Sequence, residues 1–308
     1  MIETLIRQLA AGSDVENTAE LETALHQLGI AFRADNQHIE LVAPLELLDE
    51  TTLCAGISES ARKLITRPDV EWQIGSTNTE LMTRKKDAHF NGCICVAEQQ
   101  ISGKGRRGRS WISPFASNIY VSFGWCIPRQ DMAEALSLYI GMNLVDCLRE
   151  AGLEDVGIKW PNDIIVGQGK LAVILIELEL VASSAYIVAG IGVNLSKEPV
   201  LREGIEQPVS AVADQLLLGR NALCSMIIDR MVMSMDGLSS QHVAEKIAEW
   251  PKYDCYSGEE VVVHRGEEQI VGINGGIDER GNLLLDLGTE IRSFGSGEVS
   301  LRKAASNV

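Results

Sequence analysis

Residues 103–109 read GKGRRGR, which places four cations and three glycines side by side in a chain whose formal net charge is -16. Arginine forks grip carboxylate and phosphate oxygens, and glycine lets the main chain approach a ligand closely. The loop carries no apolar anchor and loses backbone entropy when ordered, so it is expected to be mobile when empty and ordered by an anion. Gly103-Lys104-Gly105-Arg106-Arg107-Gly108 satisfies G-x-G-x-x-G literally. The dinucleotide fingerprint, however, must leave a strand and open a helix, whereas here SWISPFASN and then a strand follow. No G-K-[ST] closes the loop as a phosphate-cradling Walker loop would. Two other readings stand beside the anion site. One is a solvated surface loop. The other is a nucleic-acid patch, which lacks interleaved aromatics apart from Trp111. Net acidity also opposes non-specific DNA binding by the whole chain.

A second cluster, KWPND at 159–163, joins a lysine, an indole, a turn proline and two turn-forming polar residues. GKLAVILIE at 169–177 sets Lys170 at the start of an apolar strand, where it can reach an interior site or snorkel to water. Taken alone, Ser76-Thr77-Asn78 reads as a helix N-cap, Trp111 as a core aromatic and Asn194 as a strand-end turn. The seven cysteines are scattered and mostly in apolar stretches, as reduced core residues are. Cys93 and Cys95 share one side of a strand, and the five histidines form no close pair, so nothing calls for a structural metal. No Ser-His-Asp or Cys-His constellation is visible.

These residues need a frame. The chain has 308 residues, 45 % of them apolar, enough for more than one domain and a real core. No apolar run approaches the roughly 20 residues that span a bilayer. The N-terminus lacks the basic-then-apolar pattern of a secretory signal, which points to a soluble cytoplasmic protein. Leu5 and Leu9, then Leu21, Leu25 and Leu28, repeat at helical spacing in an acidic segment of residues 1–50 whose only Lys or Arg residues are Arg7 and Arg33; HIELVAP follows as a strand. In residues 65–250, NIYVSFGWCI alternates, with Ile119, Val121, Phe123, Trp125 and Ile127 on one face. DMAEALSLYIGMNLVDCLREAG predicts a helix capped by Asp131 and Glu134 and stopped at Gly152. LAVILIELELV and AYIVAGIGVN predict two strands joined near Ser183-Ser184, and 221–249 predicts helices. Residues 254–308 hold short strands (VVVHR, QIVGI, LLLDL, EIRSF) between polar turns, as in a small β-barrel or sandwich. The fold class is α+β: a central mixed or antiparallel sheet with helices.

Taken together, Ser76-Thr77-Asn78, Ala97-Glu98-Gln99-Gln100, the GKGRRGRSW loop, Ser113-Pro114-Phe115, KWPND, Lys170-Leu171-Ala172, Gly190-Ile191-Gly192-Val193-Asn194 and Gly297-Glu298-Val299-Ser300-Leu301-Arg302 resemble the biotin–protein ligases of the bacterial bifunctional ligase/repressor type. The resemblance implies a class II synthetase-like catalytic domain at 65–250 and an SH3-like barrel at 254–308. It also implies activation of biotin with ATP, accompanied by Mg²⁺, to biotinyl-5'-AMP, then transfer to a lysine of a biotin carboxyl carrier protein. By resemblance, Ser76, Thr77, Asn78, Gln100, Gly103, Lys104, Gly105, Arg106, Lys170 and Gly190 contact biotin. Arg107, Arg109, Trp111, Lys159, Asn162 and Asn194 belong to the ATP side. Arg106 and Lys170 are the catalytic pair, Asn162 or Asp163 lies near Mg²⁺, and no resident metal is implied. Family members pair through sheet edges, so a homodimer is compatible with the sequence, though nothing in it forces one.

Two positions depart from the family pattern. Lys104 stands where arginine is usual, which keeps the charge and loses the fork. Val173 stands where glycine is usual, and its extra carbons are expected to weaken biotin binding by about 1–3 kcal/mol. LIRQLAAGSDVENTAELETALHQLGI resembles the family's winged helix-turn-helix with its recognition helix missing, so operator binding is not expected from residues 1–50. A biotin-sensing regulator without turnover is the alternative of another class, and that acidic segment speaks against it. A lipoate or octanoate ligase shares the fold, but KWPND and the glycine-arginine loop favour biotin.

Overall fold

The computed structural model describes residues 1–87, 89–131, 134–167, 169–195, 215–216, 218–296 and 300–303. Helix α1 (Ile2–Ala10), strand β1 (Val15–Glu16), helix α2 (Ala19–Leu28) and strands β2 (Phe32–Ala34) and β3 (His38–Leu41) form an N-terminal unit. Its sheet runs β1-β3-β2, and Ile6, Leu9, Leu21, Leu25, Val15 and Ile39 close a small core of their own. Thr18 caps α2, and Gly29, at φ 71°, ends it in the left-handed region that favours glycine. The chain then passes directly into β2 with no helix between them.

Helices α3 (Glu50–Gly56) and α4 (Glu59–Arg62) lead into the central unit, and Leu48, Leu53, Ile57 and Ala61 already pack in the main core. There follow β4 (Asp69–Glu71), α5 (Thr77–Thr83), β5 (Cys93–Ala97), β6 (Ile119–Pro128), α6 (Leu136–Glu150), β7 (Val156–Lys159), β8 (Asp163–Val166), β9 (Gly169–Val181), β10 (Ser184–Val193), α7 (Arg220–Met235) and α8 (Ser240–Ile247). The seven strands β4 to β10 form one sheet in the order β4-β5-β6-β10-β9-β8-β7. Only the β4–β5 pairing is parallel, so the sheet is mixed, as expected.

β6 differs from the amphipathic strand read from its alternation. Val121, Phe123 and Trp125 enter the core shared with α6 and α7, while Ser122 faces α5 through Thr77 and Asn78. Both faces are therefore covered, and helices do not lie on one side alone. The long helix also starts later than its expected cap. Residues 129–131 first make a 3-10 turn tied to the β9–β10 turn by Arg129 N donating to Ser183 O (2.8 Å), and α6 begins at Leu136 without a side-chain cap. The Asp131 side chain lies outside the described residues.

β11 (Glu260–Arg265), β12 (Glu268–Ile277), β13 (Leu283–Asp286), β14 (Ile291–Phe294) and β15 (Ser300–Lys303) form a five-stranded antiparallel sheet, ordered β14-β13-β12-β11-β15. No pairing between the edge strands β14 and β15 closes a barrel among the described residues. Val261, Val263, Leu283, Leu285 and Leu301 belong to the same buried cluster as the central sheet. Trp160, 1 % exposed, donates from Nε1 to Gly281 O (3.0 Å) and pins this sheet against KWPND.

The linker before α3 is fixed by buried charge. Glu98, fully buried, accepts from Leu48 N (2.5 Å) and pairs with Arg220 (2.5 Å). Glu46 accepts from Arg220 N (2.6 Å) and Asn221 N (2.8 Å), filling the N-terminus of α7. Removing one partner of a buried pair strands the other, at a typical cost of about 3–5 kcal/mol. Arg220→Ala is therefore expected to lose stability of that order in urea unfolding, far more than Arg230→Ala, whose pair with Glu150 is half-exposed.

Candidate active site

The glycine-arginine loop is not the structureless segment its composition suggests. Trp111 N donates to Gly103 O (2.8 Å), Gly105 N donates to Arg109 O (2.7 Å), and Lys104 bridges Ser110. These bonds make residues 103–111 a small hairpin flap. At its tip, the half-buried Arg106 guanidinium donates to Asn162 Oδ1 (2.8 Å) and to the Ser296 carbonyl. The composition argument missed these partners because they come from segments distant in sequence.

Beneath the flap lies an inner pocket lined by Ser76, Thr77, Asn78, Gln100, Lys104, Trp111, Val173, Leu175, Gly190, Ile191 and Gly192. Ser76 caps α5, so the N-cap reading holds while the residue also faces the pocket. Gln100 Oε1 accepts from Thr77 N (3.0 Å) and Thr77 Oγ1 (3.1 Å), and Gln100 Nε2 donates to Ser113 Oγ (3.1 Å). Asn78 Nδ2 donates to Leu175 O (3.2 Å), and Ser122 Oγ lies 2.6 Å from Asn78 Oδ1 and 2.7 Å from Thr77 Oγ1. Donors and acceptors are thus locked in place before a ligand comes. The glycines of β10 admit side chains rather than a bare backbone approach. A Cβ at Gly190 would lie 2.1 Å from Asn78 Oδ1, and one at Gly192 would lie 2.6 Å from Trp111 Nε1. The open volume is only 30 Å³, about the share of one water molecule, so a ring-sized ligand requires the flap to lift.

A second cavity of 120 Å³ adjoins it on the other side of Val173. Among the described residues, Arg106, Arg107, Arg109, Lys159, Lys170 and Arg302 line it, against one carboxylate, Asp163. The hairpin turn between β7 and β8 carries this chemistry. Lys159 and Asp163 are paired across it, and the Trp160–Pro161 bond is cis. Asp163 holds Lys170 at 2.9 Å and Lys159 at 3.6 Å. Asn162 Nδ2 donates to Ile174 O (2.8 Å), which aims its oxygen at Arg106. Burial lowers the pKa of Lys159, with Asp163 opposing, and burial likewise lowers that of Arg106. Both cations are therefore held partly out of water.

Of the residues expected at the site, Gly103 and Gly105 lie in the flap and Trp111 lines both cavities, its buried Nε1 having no partner among the described residues. Asn194 lines neither cavity. Its Nδ2 donates to Lys170 O (3.2 Å), so it steadies the start of β9 from behind. Ser122 and Leu175 were not expected, and Ser113 and Arg302 were quoted without a role. Ser122 carried a signal, a lone serine in an otherwise largely apolar strand. Residues 297–299 of the terminal motif lie outside the described residues.

Residues 71–194 match the biotin/lipoate A/B protein ligase family, and residues 256–302 match the biotin protein ligase C-terminal domain. The bifunctional ligase/repressor BirA of Escherichia coli is 36 % identical over 75 % of this chain and 73 % of its own length. The chain belongs to the biotin protein ligase family. The Salmonella typhimurium BirA is 32 % identical over 90 % of this chain and 91 % of that protein. The Aquifex aeolicus biotin protein ligase, solved with biotin and ATP, superposes with a TM-score of 0.65 at 25 % identity, covering 77 % of this chain and 99 % of that one.

Val173 sits at their junction, 7 % exposed and paired across the sheet with Gly192. Val173→Gly is expected to tighten biotin binding, by the roughly 1–3 kcal/mol that overpacking costs. Calorimetry with biotin reads this directly, and unchanged binding would dismiss the crowding argument.

Proposed function

We propose that this chain is an ATP-dependent biotin–[carboxylase carrier] ligase, and that six cations against one carboxylate, among the described residues lining the nucleotide-side cavity, carry the reading. Joining a carboxylate to an α-phosphate brings two anions together. At about 4 Å and an effective dielectric near 20 they repel by about 4 kcal/mol. Fixed positive charge must offset that, and no protein nucleophile is needed.

Biotin's neutral ureido ring suits the Ser76, Thr77, Asn78, Gln100 and Ser122 network, and its carboxylate would point past Val173 toward Lys170. Lys170 and Arg106 would leave Asp163, Asn162 and Ser296 for the carboxylate and α-phosphate as pyrophosphate departs. Lys159, Arg109 and Arg302 would hold the remaining phosphates. A carrier lysine then attacks the mixed anhydride and AMP leaves. Mg²⁺ belongs to the ATP substrate. Asp163 is already paired with two lysines, so no step is routed through a resident metal.

Incubation with biotin, MgATP and a biotin carboxyl carrier domain should label the carrier. Lys170→Ala should keep the fold and lose pyrophosphate release. A labelled carrier with an unimpaired Lys170→Ala would remove Lys170 from the chemistry, and no labelling at all would overturn the ligase assignment.

The N-terminal unit does not bind operator DNA on this reading. Its cations are few, and Arg7 is engaged by Glu3 (2.9 Å) and by the Trp72 ring (5.3 Å). Gel shift at low salt should give no specific complex; a specific complex would restore a repressor function.

A further inference from the structure

We infer that Glu177 is a positioning residue that keeps the flap docked on β9 through Lys104. The inference rests on the ligase reading only in assigning the flap to the biotin side. Val173, Leu175 and Glu177 alternate along β9 and so share one face. Val173 and Leu175 line the inner pocket, and Glu177 continues that face beyond it into the 420 Å³ cavity beside the flap. Lys104 lines both spaces, and its Nζ lies 3.8 Å from Glu177 Oε1. The other oxygen, Oε2, is buried without a hydrogen-bond partner among the described residues. The flap is thus tied twice: at the tip by Arg106 to Asn162 and Ser296, and at the base by Lys104 to Glu177.

The two ties differ in what the reaction asks of them. Arg106 must release its partners to hold the reacting groups. Glu177 touches none of those groups, so the base tie persists while the tip works. The pair uses one carboxylate oxygen only. A guanidinium at position 104 would reach both oxygens in a fork, which a single ammonium cannot do. The half-used carboxylate of Glu177 therefore makes this flap easier to lift than one closed by arginine, and that ease is set by residues outside the chemistry.

Limited trypsin cleavage of the ligand-free chain at the flap arginines reads the tie without any assumption about ligand. Glu177→Gln is expected to speed cleavage by about two- to fivefold, the scale of a partly exposed ion pair. Lys104→Arg is expected to slow it, and raising salt should move the unmodified chain toward the Glu177→Gln rate. Glu179→Gln, the next carboxylate on the same face, pairs with Lys85 instead and should leave cleavage unchanged. Stopped-flow biotin release should follow the same order, with the adenylation rate at saturating biotin and ATP unmoved by Glu177→Gln. Equal cleavage in the Glu177→Gln variant and the parent overturns the inference, as does an equal effect from Glu179→Gln. Slower biotin release in Glu177→Gln would show that Glu177 competes for Lys104 instead. If the cleavage order holds but biotin neither binds nor protects the flap, the tie stands and the biotin assignment fails. A melting scan of each variant separates these results from unfolding.

Discussion

Cations packed into one cavity repel each other, and the rest of this structure is arranged around that repulsion. The flap, the β7–β8 turn, the start of β9 and the last strand each bring positive side chains to the same 120 Å³. None could hold them alone. Asp163 screens two lysines, and Asn162, itself fixed by a main-chain bond to Ile174, turns its amide oxygen to Arg106. Burial still pushes Lys159 and Arg106 toward their neutral forms. A polyanion relieves that strain on the charges, so binding energy is concentrated where the chemistry needs it.

The sheet converts this local electrostatics into reaction geometry. β9 and β10 are paired in register, Val173 with Gly192 and Leu175 with Gly190. The side chains of β9 therefore form the floor, and the absent side chains of β10 make room for Asn78 and Trp111. The polar pocket and the cationic cavity become neighbours separated by one residue. A one-residue slip would turn Val173 and Leu175 to the opposite face, against α6, and dissolve both sites. The long paired strands β6, β9 and β10, buried at the centre, resist that slip.

Much of this was legible because the chemistry-bearing residues are contiguous in sequence. GKGRRGR, KWPND and Lys170 each announce a concentration of charge with turn residues around it. The strands β9 and β10 were legible from their length and apolar content. What the sequence hid was pairing across distance. Ser122 reads as a polar break in an apolar strand until α5 is laid upon it. The flap reads as unsupported until Asn162 and Ser296 reach Arg106 from 56 and 190 residues away. The start of α6 lies at Leu136, beyond a turn that the neighbouring hairpin holds through Arg129 N and Ser183 O, a tertiary bond that local cap signals do not show.

The N-terminal unit places few cations on a structure with a core of its own. Reading DNA requires free cations on an exposed element. Here Arg7 is spent on Glu3 and on the face of Trp72, whose ring lies 4.6 Å from that of Phe115, just after the flap. The linker beyond is held firmly, since Glu98 and Arg220 bury two charges at its junction with α7 and the exposed Glu46 accepts from the first N–H groups of that helix. Severing such a junction would expose or strand those charges. The attachment of the N-terminal unit is therefore secured by the core, and the cost of losing it would fall on the core rather than on the unit itself.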